Sequence, residues 1–231
     1  MPGSVKHRRA YDSPRRREQA RATRHAVLGA ARALFIERGY VGTTIEAIAA
    51  RANVAPETVY AVFGTKRSLL SELVDVSIAG GDEAPPILDQ DWVQQIRDEP
   101  DPHRRLRLLA SHGRSILERR AAVDEVVRGA ASADPEIASL RDLGKAQRFA
   151  GQRELLRMVL GAAGLRQGLD LKTATDVLYA IGSPETYRLL VVDRGWSGPR
   201  FERWYGETLG RLLLDPAIGT VATAQYLQTD E

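Results

Sequence analysis

Two short stretches decide the fold of this 231-residue chain: TIEAIAARANV at residues 44–54 and TVYAVFGTK at residues 58–66. In the first stretch, apolar residues recur at spacings of three and four, as they do on the buried face of a helix. Asn53 interrupts this pattern, and Pro56 favours a new helix because proline suits the first helical position. The helix in the second stretch is short and ends at Gly64. The pattern therefore predicts two short helices joined by a tight turn.

A longer helix is predicted before these two, and another after them. The first should start at Glu18 and end at Gly39, since glycine commonly stops a helix. Thr43 and Glu46 have the spacing of a capping box, so we expect Thr43 to cap the second helix. Thr65 is expected to cap a fourth helix. The apolar positions of the first helix are Val27, Ala30, Ala31, Leu34 and Phe35.

The rest of the chain also indicates helices, and no strand-like alternation appears. One helix should start at residues 101–102, a separate one should follow at about 123–131, and Pro184 should kink or break a later one. Glycine and proline pairs near residues 80–86 mark a boundary, and the pattern up to Pro100 is irregular except around residues 92–96. We predict an all-α protein of about nine helices, with an N-terminal three-helix helix-turn-helix domain and a larger helical domain. The predicted divisions are a flexible basic arm (1–17), the first domain with its connecting helix (18–80), a linker or irregular loop (81–100), the second domain (101–214) and a C-terminal tail (215–231).

Basic residues are concentrated at the N-terminal end. Residues 1–75 contain 13 Lys and Arg against 7 Asp and Glu, whereas the rest of the chain is slightly acidic. Arg15, Arg16 and Arg17 stand just before the first predicted helix. A basic module on a mildly acidic body indicates that this end binds a polyanion. A solvated tail is the alternative interpretation of the arm.

Composition and motifs argue against several other functions. The chain has no cysteine, which excludes thiolate metal sites and cysteine nucleophiles. No apolar run approaches the ~20 residues of a membrane span. The four histidines lack metal-ligand spacing, and no nucleophile elbow or dinucleotide-binding motif occurs. We therefore expect a cytoplasmic protein that is not an enzyme, with no cofactor, no metal and no membrane partner.

Three short helices behind a basic arm have the layout of a helix-turn-helix DNA-binding unit, whose third helix enters the major groove. The sequence of residues 20–75 resembles the DNA-binding domain of TetR-family bacterial transcriptional regulators. The matching features are a threonine before the Ile-Ala helix, an Ala-x-Val turn, a Tyr-x-x-Phe and the lysine that follows. These features stand at Thr44, residues 52–54, Tyr60, Phe63 and Lys66.

This resemblance and the helix pattern together predict which residues bind DNA. Thr44, Tyr60 and Lys66 would contact phosphates, and the outer side of the third helix would face base edges. Two alternatives stay open, because Tyr60 could be a packed aromatic residue and Glu57 a solvated acid at a helix start. The predicted set is Thr44, Pro56, Glu57, Thr58, Tyr60, Ala61, Lys66, Arg15, Arg16 and Arg17.

Two positions depart from the family's usual pattern. Asn53 stands where glycine is common, and asparagine tolerates the left-handed conformation that the turn requires. Ala55 stands where serine or threonine is common, which removes an N-cap and a phosphate contact. We expect the fold to survive both changes.

For residues 101–214 the resemblance implies a ligand-binding and dimerisation domain. Two helices, at about 171–193 and 199–214, would form a four-helix bundle with those of the partner. Their apolar stripes could equally pack inside one chain, because a core face and an interface look alike in sequence. The predicted dimer residues are Val177, Leu178, Ile181, Leu189, Val192, Phe201, Tyr205, Leu209 and Leu212. Trp92, His112 and Met158 are candidates for the ligand pocket, with ordinary core positions as the alternative.

The predicted function is a ligand-responsive transcriptional repressor. It would bind a pseudo-palindromic operator in double-stranded DNA as a homodimer and be released by an unidentified small-molecule effector. An activator would have the same sequence features, so the sequence does not distinguish it from a repressor. The alternative from another class is an all-helical ligand-binding or adaptor protein that does not bind DNA.

Overall fold

A computed structural model describes residues 14–161 and 164–216 of the chain, and every regular element in these ranges is helical. The predicted all-α fold is confirmed. There are ten α-helices in the described part, with a 3-10 turn before α5 and a π-helical segment after α9. The helices are α1 (Pro14–Arg38), α2 (Ile45–Ala52), α3 (Pro56–Phe63), α4 (Lys66–Ala79), α5 (Asp91–Asp98), α6 (Pro102–Ala131), α7 (Pro135–Leu160), α8 (Leu171–Ile181), α9 (Pro184–Tyr187) and α10 (Gly198–Leu213).

The chain divides between Leu70 and Ser71 into two compact units. The sequence placed the end of the first domain at residue 80, at the end of the connecting helix. α4 spans the division, because its first five residues belong to the first unit and the remainder to the second. Residues 1–13 of the predicted arm and most of the predicted tail lie outside the described residues.

In the first unit, α2 packs against α1 and α3. The turn between α2 and α3 depends on Asn53, which adopts the left-handed conformation with φ 55°. Its amide and that of Val54 donate to carbonyls at the end of α2, which closes the helix. Asparagine therefore serves here as expected. The buried apolar side chains of this unit are Val27, Leu28, Ala30, Ala31, Leu34, Phe35, Ile45, Ile48, Ala49, Val59, Phe63, Leu69 and Leu70.

The predicted cap of α2 was wrong by one residue. Thr44 is the N-cap, since its hydroxyl oxygen accepts from the Ala47 amide at 3.2 Å. Thr43 is fully buried, and its hydroxyl lies 2.8 Å from the Gly39 carbonyl and 3.1 Å from that of Leu34. Thr43 therefore ties the loop to α1, and it forms no capping box with Glu46.

α1 begins at Pro14, four residues earlier than predicted. Proline fixes a helical φ and has no amide hydrogen, so it fits the first helical position. Arg15, Arg16 and Arg17 consequently lie in the first turn of α1, where all three are exposed. They are part of a helix and not of the flexible arm that the sequence predicted.

The second unit is built around α6. This helix packs against α5, α7, α9 and α10, and α7 packs against α8. α6 runs for 30 residues, where the sequence indicated two separate helices. Gly113 lies in its middle, and a Cβ there would be 3.0 Å from the Tyr205 ring, so the glycine lets α10 approach closely.

Residues 81–100 were predicted to be a linker or irregular loop except around residues 92–96, and α5 lies at that exception. Its Trp92, Val93 and Ile96 are buried in the core of the second unit, so the segment is part of this unit and not a linker. The segment is short and lies between loops, which weakened its helical pattern in the sequence. The break expected at Pro184 is present, because Ser183 caps the one-turn α9 and a π-helical segment (Arg188–Asp193) follows.

Candidate DNA-binding surface and ligand cavity

α3 exposes one face and buries the other. Val59 and Phe63 are in the core, whereas Glu57, Tyr60 and Ala61 are exposed. The Tyr60 side chain is 49% exposed, so it is not the fully packed aromatic residue of the alternative interpretation. Pro56 and Thr58, which lie on the same helix, are half-buried. The predicted base-facing residues therefore share one short helix whose opposite side is fixed by the core.

Val62 is a residue of this face that the sequence analysis missed. Its side chain is 41% exposed and lies one turn after Thr58 on α3. A valine in an apolar stretch normally indicates a core position. The i, i+4 spacing from Thr58 was the signal that could have placed it on the outer face.

The start of α2 offers a second polar surface in this unit. Thr44 is exposed at the N-cap, and the amides of the first helical turn lack partners within the helix. Such a helix start attracts anions, because its amides and its dipole both favour negative charge. α2 is held in place by Arg51, which forms an ion pair with Glu37 of α1 at 2.8 Å.

The Lys66 side chain forms hydrogen bonds within the first unit. Its ammonium group donates to the carbonyls of Tyr40 and Thr43, at 2.9 Å and 2.8 Å, and lies 4.3 Å from the centre of the Tyr40 ring. The sequence predicted a phosphate contact for this side chain. The observed contacts instead fasten the start of α4 to the loop between α1 and α2.

The second unit contains a cavity of about 790 Å³. This volume is within the range of small-molecule sites in proteins. Apolar side chains from several helices form much of its wall, and charged side chains from α6 and α7 form another part. The apolar contributors include Val74, Ile78, Trp92, Leu109, Ile116, Leu117, Leu155 and Leu178.

Of the three predicted pocket residues, Trp92 lines this cavity. Its ring stacks on the His112 imidazole, with 4.6 Å between the ring centres. Burial lowers the pKa of His112, Arg119 lowers it further, and Glu202 acts in the opposite direction. Met158 packs against the core, and neither it nor His112 is part of the cavity wall.

Tyr205 also lines the cavity, although the sequence assigned it to a dimer interface. The residue is 2% exposed, and burial raises the pKa of its phenol, with Arg148 acting in the opposite direction. Asp75 is another lining residue, and its pKa is raised by burial and by the neighbouring Glu72. Arg148 and Gln152 line the wall as well, and no sequence motif indicated them.

The predicted dimer residues divide into two groups. Leu178, Phe201, Tyr205 and Leu209 are buried in the chain's own core, so the prediction was wrong for them. Their side chains have no surface left for a partner, because α10 packs against α6, α8 packs against α7, and α8 and α10 pack against each other. Leu189, Val192 and Leu212 are exposed, at 54%, 63% and 43%, and Val177 and Ile181 are half-buried.

Two kinds of feature are absent from the described part of the chain. Within it, no cluster of three or more His, Cys, Asp or Glu side chains is arranged to hold a metal ion. The helices of the same residues are all too short or too polar to cross a membrane.

The helices of the first unit and the exposed face of α3 have the arrangement of a helix-turn-helix unit. Residues 27–73 match the family described as bacterial regulatory proteins, tetR family. The HTH-type transcriptional regulator YdeS of Bacillus subtilis is 26% identical over 184 residues, which are 78% of this chain and 84% of YdeS. The matched residues and this relative confirm the predicted resemblance to the tetR family.

Solved structures share the fold at low sequence identity. NalD of Pseudomonas aeruginosa, the secondary repressor of the MexAB-OprM multidrug efflux pump, gives a TM-score of 0.63 at 22% identity, over 85% of this chain and 98% of NalD. FadR of Bacillus subtilis, in complex with stearoyl-CoA, gives 0.64 at 19% identity, over 80% of this chain and 96% of FadR.

Proposed function

We propose that this protein is a cytoplasmic, ligand-responsive transcriptional repressor. It binds a pseudo-palindromic operator as a homodimer and releases the DNA when a small molecule occupies the cavity of the second unit. The observation that carries the proposal is the outer face of α3, which exposes Glu57, Tyr60 and Ala61 on a helix fixed from behind. In this proposal the protein regulates transcription and does not catalyse a reaction.

The outer face of α3 suits direct reading of base edges. A glutamate carboxylate accepts a hydrogen bond from the cytosine amino group, and small apolar groups contact the thymine methyl. Ala61 and Val62 are of the second kind, and both are exposed. Tyr60, Thr44 and the arginines at the start of α1 would contact phosphates, which set position and affinity.

A homodimer is supported by the geometry of DNA and by the surface of the second unit. Two recognition helices about 34–36 Å apart read half-sites one helical turn apart. Leu189, Val192 and Leu212 expose large apolar side chains on the π-helical segment and on α10. Packing them against a second copy would remove them from water.

The cavity supports control by a small molecule, as does the stearoyl-CoA complex of FadR. Ser71, Val74 and Ile78 of α4 line the cavity, and the same helix begins at Lys66 in the DNA-binding unit. A ligand that binds better to a conformation with low operator affinity shifts the population toward it. NalD, the secondary repressor of a multidrug efflux pump, has the same fold, which is consistent with such a role.

Selection from a random duplex library tests the proposal. We expect the protein to enrich an inverted repeat whose half-sites lie one turn apart. Glu57→Ala should change the preferred base at one position of each half-site, whereas Glu18→Ala, at an exposed position of α1, should not. Enrichment of no sequence would contradict the proposal and favour the adaptor alternative. An unchanged preference in Glu57→Ala would remove Glu57 from the base-reading set.

A further inference from the structure

Two residues that line the cavity each have a buried polar atom without a hydrogen-bond partner. These atoms are Nη1 of Arg148 and Oε1 of Gln152. The residues lie one turn apart on α7, so their side chains leave the same face of the helix. Buried polar groups in folded proteins are nearly always paired, and an unpaired guanidinium N–H is especially unfavourable. The N–H of Arg148 therefore lacks a hydrogen-bond acceptor, and the amide oxygen of Gln152 lacks a donor.

The charges of the wall are unevenly paired. Arg120 forms two hydrogen bonds of 2.7 Å with Asp124, and Arg128 is bonded to Glu125. Arg188 is paired with Asp193. In the described residues, no carboxylate pairs with Arg148 or with Lys145, which stands three positions earlier on α7. Lys145 is exposed to solvent, whereas Arg148 is half-buried and, within residues 14–161 and 164–216, has no neighbouring acid to balance its charge.

The Arg148 side chain is nevertheless held in position. Its guanidinium lies 3.7 Å from the centre of the Tyr179 ring on α8, a contact that fixes its plane without using its hydrogen-bond donors. Gln152 is oriented by α8 as well, because its amide nitrogen donates to the Gly182 carbonyl at 3.5 Å. This contact leaves the amide oxygen as the unpaired atom.

The Tyr205 hydroxyl completes the cluster. It lies close to Gly182, where an added Cβ would be 2.2 Å from the phenol oxygen, so the glycine makes room for it. Burial raises the pKa of the phenol, and the group therefore remains protonated and able to donate. Leu155, Leu178 and Trp92 supply an apolar surface in the same cavity.

We propose that the ligand of this cavity is an amphipathic organic anion. Its apolar body lies against Trp92, Leu155 and Leu178. Its anionic group binds Arg148 and accepts from the Tyr205 hydroxyl, while a donor group of the ligand satisfies Oε1 of Gln152. The inference rests on the proposed function only in taking the cavity as the effector site. A carboxylate and a phosphate share this chemistry, and the experiment separates them.

A cationic ligand is the principal competitor. Asp75 and Glu185 also line the cavity, and neither has an ion-pair partner within the described ranges. Glu185 is exposed, so water already solvates it. Partial burial of the Asp75 carboxyl raises its pKa, as does Glu72, and this weakens Asp75 as a cation site. Arg148, in contrast, presents a buried N–H with no competing partner.

Calorimetric titration of the full-length protein with four probes of equal chain length tests the proposal. The probes are dodecanoate, dodecyl phosphate, dodecanol and dodecyltrimethylammonium, each below its micelle concentration. We expect at least one anion to bind about tenfold tighter than dodecanol, since charge-assisted hydrogen bonds are roughly twice as strong as neutral ones. Preference between the two anions identifies carboxylate or phosphate as the group recognised. Tightest binding of the ammonium probe, equal binding of all probes, or no binding of either anion would overturn the proposal.

Two variants locate the anion. Arg148→Met should weaken binding of the preferred anion about tenfold or more and leave dodecanol unchanged, because methionine keeps the apolar stem and removes the charge. Tyr205→Phe keeps the ring and should weaken the same anion several-fold. Arg153→Met, an exposed cation on α7 outside the cavity, is the matched control and should have no effect. An Arg148→Met variant that binds the anion normally would contradict the assignment.

The titration contains no DNA, so its outcome is independent of operator binding. If an anion binds at Arg148 but the library selection fails, the ligand class stands and the repressor function falls. If the selection succeeds and neither anion binds, the repressor function stands and the proposed ligand class is wrong. Adding the preferred anion to the operator complex then tests the link between them.

Discussion

Ala55 occupies the N-cap of α3 and offers the helix no side-chain acceptor. Serine at this position can accept a hydrogen bond from the Thr58 amide, the third residue of the helix. We expect Ala55→Ser to raise the free energy of unfolding of the first unit by about 1 kcal/mol. Urea denaturation measures this change. Ala50→Ser is the control, because Ala50 is exposed inside α2 and serine is a poorer helix former there. Equal effects of the two substitutions would contradict the capping argument.

Lys66 has two possible roles, and one variant distinguishes them. Lys66→Met removes the donors that serve the Tyr40 and Thr43 carbonyls. We expect it to lower the free energy of unfolding by about 1–3 kcal/mol, because partly buried carbonyl groups lose their partners. If Lys66 also binds a phosphate, the salt dependence of DNA binding falls by about one unit of slope. Unchanged stability together with the reduced slope would contradict the structural role.

His112 makes the second unit sensitive to acid. Burial lowers its pKa below the ordinary value of 6.5, with Arg119 adding to the effect and Glu202 opposing it. The unfolded chain therefore takes up this proton before the folded chain does. Stability is complete above pH 6.5 and falls as the pH drops from 6.5 through the lowered pKa.

The variant His112→Phe tests this effect, because it keeps a ring against Trp92 and removes the titration. Thermal unfolding at neutral pH and at about pH 5.5 provides the comparison. We expect the midpoint of the wild type to fall more than that of the variant. Asp75 has a raised pKa and acts in the opposite direction, but it is present in both proteins. Equal falls would show that His112 does not titrate in this way.

Single residues differ in how far the sequence indicates their roles. Asn53 and Ala55 were interpreted correctly because a turn and a helix start impose local demands on the backbone. Thr43 was mistaken for a cap, since adjacent threonines both fit the motif and tertiary packing selected Thr44. Arg148 could not be identified at all. Its surroundings come from α8 and α10, which are distant in sequence.

At the scale of the element, α5 is the clearest test. It lies where the sequence predicted a linker, yet Ile96 is fully buried in the core of the second unit. We expect Ile96→Ala to lower the free energy of unfolding by about 2–5 kcal/mol, because the lost side chain leaves a cavity. Gln95→Ala, on the exposed side of the same helix, should change it little. Urea denaturation followed by circular dichroism measures both. A small effect of Ile96→Ala would indicate a loosely attached segment.

Most helices could be predicted because the apolar residues of an amphipathic helix recur with a period of 3.6 residues. The bounds of α2, α3 and α10 follow the predicted ones closely. The sequence did not predict that α6 is a single helix, because three charged residues at 118–120 interrupt its apolar pattern, and only the structure shows that they stay helical. The stripes of α8 and α10 indicated contact surfaces, but they could not tell an internal core from an interface.

At the scale of the whole molecule, the proposed homodimer depends on the apolar residues that the fold leaves exposed. Leu189 and Val192 are 54% and 63% exposed. We expect Leu189→Glu with Val192→Glu to shift the protein toward monomer, because burying a carboxylate in an interface is costly. Light scattering during gel filtration measures the mass. Val41→Glu, at a 76% exposed position in the first unit, is the control. A dimer that survives the double change would place the interface elsewhere.

The central claim is that the first unit binds a specific DNA sequence. Fluorescence anisotropy tests it most directly, with labelled duplex from upstream of the protein's own gene, a scrambled duplex of the same composition, and two salt concentrations. The account predicts tight binding of the upstream duplex, weaker binding of the scrambled one, and affinities that fall steeply with salt. Equal, salt-sensitive binding would mean that the basic surface functions but the operator lies elsewhere. No binding of either duplex at low salt would contradict the account.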